Sequence, residues 1–113
     1  MTTSDVATMV AGIGLPYAYY EFPDDTSREP PFVCFMFTDN NDLKADNQNY
    51  TDTRTLVIEL YTRQKDFTYE NTIRGILNAK ELPFSQSSDF LTDEHLYITI
   101  FTTEVFITNG GQQ

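Results

Sequence analysis

The chain has no tryptophan, one cysteine, one histidine and seven basic residues in 113 positions, and each scarcity removes a class of function. A lone Cys34 cannot form an intrachain disulfide. Set inside "FVCFMF", it reads as a buried, unreactive thiol suited to a reducing cytoplasm. One Cys and one His cannot supply the clustered ligands of a zinc site. Nucleophilic catalysis needs a base beside its Ser or Cys, and the single His95, in "TDEHLY", reads instead as a solvated strand-edge residue. Against seven basic side chains stand 17 acidic ones, and a net charge of −10 repels phosphate, which argues against nucleic-acid binding driven by counterion release. The apolar run "FVCFMF" falls far short of the roughly 20 residues of a membrane helix. "MTTSDVATMV" has no basic segment followed by an apolar one, so no signal peptide is expected. Gly12 and Gly14 lack the strand-to-helix context and the Lys of a phosphate cradle.

What is present is a generous set of aromatics, nine Phe and seven Tyr, in a length that suits one domain of about 100–150 residues. Val6, Met9, Val10 and Ile13 recur at helical spacing between Ser4 and Gly14, with Ser4 or Asp5 able to cap the start and Gly14 before Leu15-Pro16 to stop it. "YAYYEF" (Tyr17 to Phe22) reads as a strand. The turn cluster "PDDTSREPP" follows it. The unbroken apolar run of Phe32 to Phe37 predicts a strand covered on both faces. Thr38 to Thr53, "TDNNDLKADNQNYTDT", is a long polar loop of the kind that carries function. In "RTLVIELYTR" the residues Leu56, Ile58 and Leu60 share a core face, while Thr55, Val57, Glu59 and Tyr61 share the other.

Asp66 is placed to cap a second helix, "FTYENTIRGILNAK", whose stripe is Tyr69, Ile73, Ile76, Leu77 and the stem of Lys80. Pro83 blocks its continuation, and Gly75 suggests close packing against the sheet. "FSQSSDFLTDEH" is mostly polar. In the final strand Leu96, Ile98 and Ile100 lie on one face, but Val105 and Ile107 lie on the other. A bulge near Thr102-Thr103 would reset the register, and partial cover on both faces is the alternative; the bulge is preferred. The tail "TNGGQQ" is expected to be disordered from residue 109 to 113. The fold class expected for residues 1–108 is a single α+β domain: a mainly antiparallel sheet of four to five strands with two helices on one face.

Metal chemistry finds little support. Asp39 and Asn41 begin an alternating calcium-loop pattern, but Leu43 and Lys44 break it. Asp24-Asp25 and Asp93-Glu94 read as solvated turn acids. No catalytic, cofactor or metal residue is therefore nominated. Tyr17, Tyr19, Tyr20, Phe22, Tyr61, Tyr97 and Phe101 are either ordinary half-buried strand residues or a sheet face that meets another protein, since Tyr is enriched at interfaces.

"LPYAYYEFP", "KADNQNY", and above all "IELYT" followed by "KDF" and a Glu-containing helix resemble a family of small tail proteins of long-tailed phages and prophages of Gram-positive bacteria. The similarity runs from Leu15 to about Leu77. On these residues the chain looks like a tail terminator or a related tail-completion protein, and the family implies an α+β protein with no catalytic residues. It implies a homo-oligomeric ring, commonly hexameric, seated on the last layer of major tail protein. The ring halts tube growth and offers the surface on which a head-completion protein docks. DNA passes its acidic bore without specific binding, no membrane is involved, and assembly takes place in the host cytoplasm before incorporation into the virion. The acidic "PDDTSREPP" connection departs from the family pattern.

A cyclic ring needs two different patches per subunit. Tyr19, Tyr20, Glu59 and Tyr61 are the residues expected at the subunit interface, and Asp42, Leu43, Lys44, Asp46, Asn47 and Tyr50 those expected to contact the tube. The alternatives are a head-tail connector, a small ligand-binding or enzyme domain, and a regulatory interaction module.

Overall fold

The computed structural model describes residues 1–20, 29–40 and 51–108. The interface candidates Tyr19, Tyr20, Glu59 and Tyr61 fall within them. The proposed tube-contact residues Asp42 to Tyr50, most of "PDDTSREPP" and the tail from residue 109 lie outside.

The fold is α+β: two helices and a five-stranded mixed sheet. In chain order the elements are α1 (Thr3–Ala11), β1 (Tyr17–Tyr19), β2 (Phe32–Asn40), β3 (Thr51–Thr62), α2 (Phe67–Ala79), β4 (Phe84–Leu91) and β5 (Leu96–Thr108). Across the sheet the order is β1-β2-β3-β5-β4. All neighbours are antiparallel except β1, which runs parallel to β2.

α1 is capped by Thr2 rather than by Ser4 or Asp5. The Thr2 hydroxyl accepts from the Asp5 backbone N–H at 3.0 Å, and the Asp5 carboxylate accepts from the Thr2 N–H at 2.8 Å. This reciprocal box leaves Asp5 one turn inside the helix. The expected stripe Val6, Met9, Val10 and Ile13 is buried, and the chain turns away at Gly14 with φ 90°, a value that favours glycine. Asp66 caps α2 as its position predicts, accepting from the N–H groups of Thr68 and Tyr69.

The core lies between the helices and one face of the sheet. It joins Val6, Met9, Val10 and Ile13 to Ile73 and Leu77, and these to Val33, Phe35, Leu56, Ile58, Leu60, Phe101, Val105 and Ile107 of the strands. Each such side chain, fully buried, contributes about 1.5–3 kcal/mol. The alternation in β3 is as expected, with Leu56, Ile58 and Leu60 at 0–1 % exposure. β2 supplies Val33, Cys34 and Phe35 as buried residues and has neighbours on both sides.

Several expectations are corrected. Among the described residues of "YAYYEF", Tyr17–Tyr19 is strand and Tyr20 turns out of it with φ 71°; Glu21 and Phe22 lie outside the described residues. The polar loop is shorter than Thr38 to Thr53, because β2 continues through Asn40 and β3 begins at Thr51. Most of "FSQSSDFLTDEH" is the edge strand β4, closed by a turn at 92–95. β5 has no bulge at Thr102-Thr103: its pairing with β3 is unbroken from Thr51↔Thr108 to Thr62↔Tyr97. The phase change arises because Thr99 and Thr103 take core positions beside Phe101, Val105 and Ile107, which leaves Ile98 and Ile100 on the opposite face. The register shift that does occur lies in β2, between Phe37 and Asp39. Gly75 is not a close-packing position, since a Cβ there would meet nothing within 4 Å. Lys80 is the exposed C-cap of α2, and the buried polar member of its inner face is Glu70.

Candidate functional site

Both helices pack on one side of the sheet, so the strand residues of opposite parity form a second face that, among the described residues, no helix covers. Cross-strand partners share a face, and the register assembles this one residue by residue. β2 contributes Phe32, Cys34 and Met36, opposite Tyr61, Glu59 and Val57 of β3. β3 in turn sets Tyr61 against Ile98, Glu59 against Ile100 and Val57 against Thr102 of β5. β4 adds Ser87 beside Ile100 and Asp89 beside Ile98. Cys34 is buried by its neighbours, whereas Phe32, Met36, Val57, Glu59, Tyr61, Ile98 and Ile100 are each half-buried. The result is a largely apolar surface three strands wide, bordered by Ser87, Asp89 and Thr102.

One polar device sits within it. The Tyr61 hydroxyl donates to Glu59 Oε1 at 2.8 Å, and the Tyr61 ring stacks on Phe32 with centroids 4.8 Å apart and planes 18° apart. Burial, and then the carboxylate it donates to, push the Tyr61 hydroxyl well above the usual tyrosine range, so it remains a neutral donor. Glu59 therefore presents a negative charge with fixed orientation at the centre of an apolar field.

The sequence-predicted interface residues separate into two groups. Glu59 and Tyr61 are joined on the open face. Tyr19 shares the helix-side face with Phe35, its partner across β1 and β2, and Tyr20 follows at the end of β1. Tyr17, Tyr19 and Tyr20 are 42 %, 49 % and 55 % exposed. They form an edge cluster in which Tyr19 meets Tyr20 edge-on at 4.9 Å and Phe35 at 5.4 Å. The structure thus does not bring the four residues together; it places two distinct aromatic surfaces on the chain. Tyr97 and Phe101 belong to the helix side, with Phe101 buried in the core and Tyr97 against Phe90 at 4.7 Å.

Glu70 is the polar group that sequence reasoning missed. It is 2 % exposed and accepts from Lys65 Nζ at 2.8 Å, Gln86 Nε2 at 3.3 Å and Thr99 Oγ1 at 3.4 Å, with Arg74 Nη1 at 3.9 Å. The signal in the sequence was the polar alternation Gln86, Ser88 in β4, because Lys65 also reaches Ser88 and Arg74 donates to Gln86. This network fastens α2 to the edge of the sheet.

Among the described residues, clefts open to solvent include the following two. One, about 560 Å³, lies beside Thr55, Phe84, Thr102, Glu104 and Phe106; the other, about 510 Å³, lies between the helices at Met9, Ile76 and Lys80. The first has Glu104 as its ionisable side chain and the second has Asp5 and Lys80 beside Met1, and among the described residues no three His, Cys, Asp or Glu side chains are grouped to hold a metal ion. No described helix is long and apolar enough to cross a membrane. No protein-family model and no curated protein matches this chain.

Proposed function

We propose that the chain is a structural assembly subunit that forms a ring with copies of itself, acting as a tail terminator of a long-tailed phage. The observation that carries the reading is the apolar sheet face that no helix covers among the described residues, with Glu59 held at its centre by Tyr61. A contiguous apolar surface of this kind, rimmed by polar residues, is the mark of a protein interface rather than of a free monomer. A face-to-face pair about a two-fold axis at the centre of this patch would bring two Glu59 carboxylates together, a like-charge contact that disfavours it. A head-to-tail contact sets the patch against a different surface, which is what a closed ring requires. The separate tyrosine edge at Tyr17, Tyr19 and Tyr20 offers such a second surface.

The resemblance supports the same role. Its strongest segment, "IELYT" to "KDF", forms the end of β3 and the Asp66-capped entry to α2, so it encodes both the Glu59–Tyr61 pair and the corner that positions the helix. In this role the ring caps the tube of major tail protein and receives the head. The test has two arms. Phage-producing cells lacking the protein should make headless tails of uncontrolled length by electron microscopy. Ile98→Glu with Ile100→Glu should abolish the purified ring while circular dichroism stays native. Tails of normal length, together with a wild-type protein that stays monomeric, would overturn the proposal. A ring that binds portal-bearing heads but not tail ends would make it a connector.

A further inference from the structure

The two edges of the sheet are not alike. β1 is three residues long, follows Pro16 and ends where Tyr20 leaves the extended conformation, so it offers little backbone to another chain. β4 has eight residues, pairs with β5 without a register break from Phe84↔Thr103 to Leu91↔Leu96, and contains no Pro, Gly, Lys or Arg. Its side chains from Ser85 to Phe90 are exposed, and among the described residues β5 is its only strand neighbour. Every second residue of β4 therefore points its N–H and C=O outward. Folded proteins ordinarily blunt such an edge with a charge, a proline, a bulge or a covering segment. Asp89 is the single charged side chain in β4.

The geometry points to a second copy of this chain as the occupant: β4 pairs antiparallel with β4 about a two-fold axis at Ser87, making one ten-stranded sheet from two five-stranded ones. The contact goes beyond the ring reading, since it uses the strand edge rather than the open face and stands without it. Three observations select the occupant and its register. First, the chain carries a net charge of −10, so two copies approach best along a nearly uncharged segment, and β4 is one. Second, a two-fold axis normal to the sheet keeps the helices of both copies on one side, so directly opposed residues share a face and the axis must pass through a residue. Third, of the registers centred on Ser87, Ser88 and Asp89, the first is the self-complementary one. Centred on Ser87, it sets the exposed Phe90 of one copy against Phe84 of the other, Ser85 against Asp89, and Gln86 against Ser88. Cross-strand aromatic pairs and hydroxyl–carboxylate pairs are both favourable. Centred on Ser88, it sets Phe90 against Gln86 and loses the aromatic pairs. Centred on Asp89, it opposes the two carboxylates.

Within a cyclic assembly such a two-fold contact joins copies of different rings, so paired rings would cover each other's β4 edge until another chain takes it.

The experiment is site-directed crosslinking of the full chain. At the axis, opposed Cα atoms lie about 4.5–5.5 Å apart, inside the roughly 4.4–6.8 Å that a disulfide spans. Cys34 is buried and contributes no background. Under mild oxidation Ser87→Cys should convert to a covalent dimer of two 13.0 kDa chains, whereas Ser85→Cys, far from its own copy, should stay monomeric on a non-reducing gel. Ser87→Glu, which sets like charges at the axis, should remove the two-fold contact in light scattering with an unchanged circular dichroism spectrum. Crosslinking of Ser87→Cys no greater than that of Ser85→Cys overturns the inference, as does an assembly state indifferent to Ser87→Glu. If Ile98→Glu with Ile100→Glu abolishes rings while the Ser87→Cys dimer persists, the ring contact is broken and the edge contact stands; the reverse result sinks the edge contact alone.

Discussion

Replacing Glu70 by Ala removes the carboxylate on which four side chains converge. Two of them are cations that keep access to water, Lys65 at 34 % and Arg74 at 31 % side-chain exposure, so they can be rehydrated. Thr99 is 1 % exposed, and its hydroxyl loses its acceptor where water does not reach; an unsatisfied buried group costs about 1–3 kcal/mol. Breaking a buried ion pair costs about 3–5 kcal/mol when the remaining charge stays buried, and the exposure of both cations lowers that figure here. A loss of about 2–3 kcal/mol follows, a large fraction of the roughly 5–15 kcal/mol that holds a domain together. Urea unfolding followed by circular dichroism measures it directly, with the midpoint falling and the slope unchanged. Glu70→Gln keeps an acceptor and a donor in place and should lose less. A loss below about 0.5 kcal/mol for Glu70→Ala, the scale of an ordinary surface substitution, would refute the reasoning, because the network would then not be holding α2 to β4.

Two other substitutions test the local readings. Gly75 is exposed within α2 and a Cβ there meets no atom within 4 Å, so Gly75→Ala should raise stability by about 0.5–1 kcal/mol in the same unfolding assay. The Tyr61 hydroxyl is raised above its unfolded value by burial and by Glu59. Its contribution is fully present below the ordinary tyrosine range near 10 and is lost as pH climbs beyond it; Tyr61→Phe should flatten the alkaline fall in stability, seen in thermal melts across pH.

The sequence disclosed elements whose pattern reflects burial on one side. α1, β3 and α2 were legible from Val6-Met9-Val10-Ile13, Leu56-Ile58-Leu60 and Ile73-Leu77, because each stripe faces the one core. β4 was not, because an edge strand buries little, and its inward positions Gln86 and Ser88 are polar to serve Glu70, Lys65 and Arg74. β5 misled for a related reason: Thr99 and Thr103 occupy core positions while Ile98 and Ile100 stand on the face opposite the helices, so hydropathy alone suggests a register break that backbone pairing does not contain. Of the candidate interface, Glu59 and Tyr61 were visible as a shared strand face, but their bond to each other and the separation of Tyr19 and Tyr20 onto another surface depend on strand order, which periodicity does not encode.

Strand order also dictates when the molecule can fold. β5 is inserted between β3 and β4, so β3 acquires its second neighbour only after residues 96–108 have left the ribosome. The β4–β5 hairpin, closed by its turn at 92–95, can form from local contacts, but docking it onto β3 closes a loop that spans all of α2, and such distant pairing slows folding. During synthesis β3, which supplies Leu56, Ile58 and Leu60 to the core, therefore waits with one side open, and a sluggish ribosome over that interval would favour aggregates over native protein.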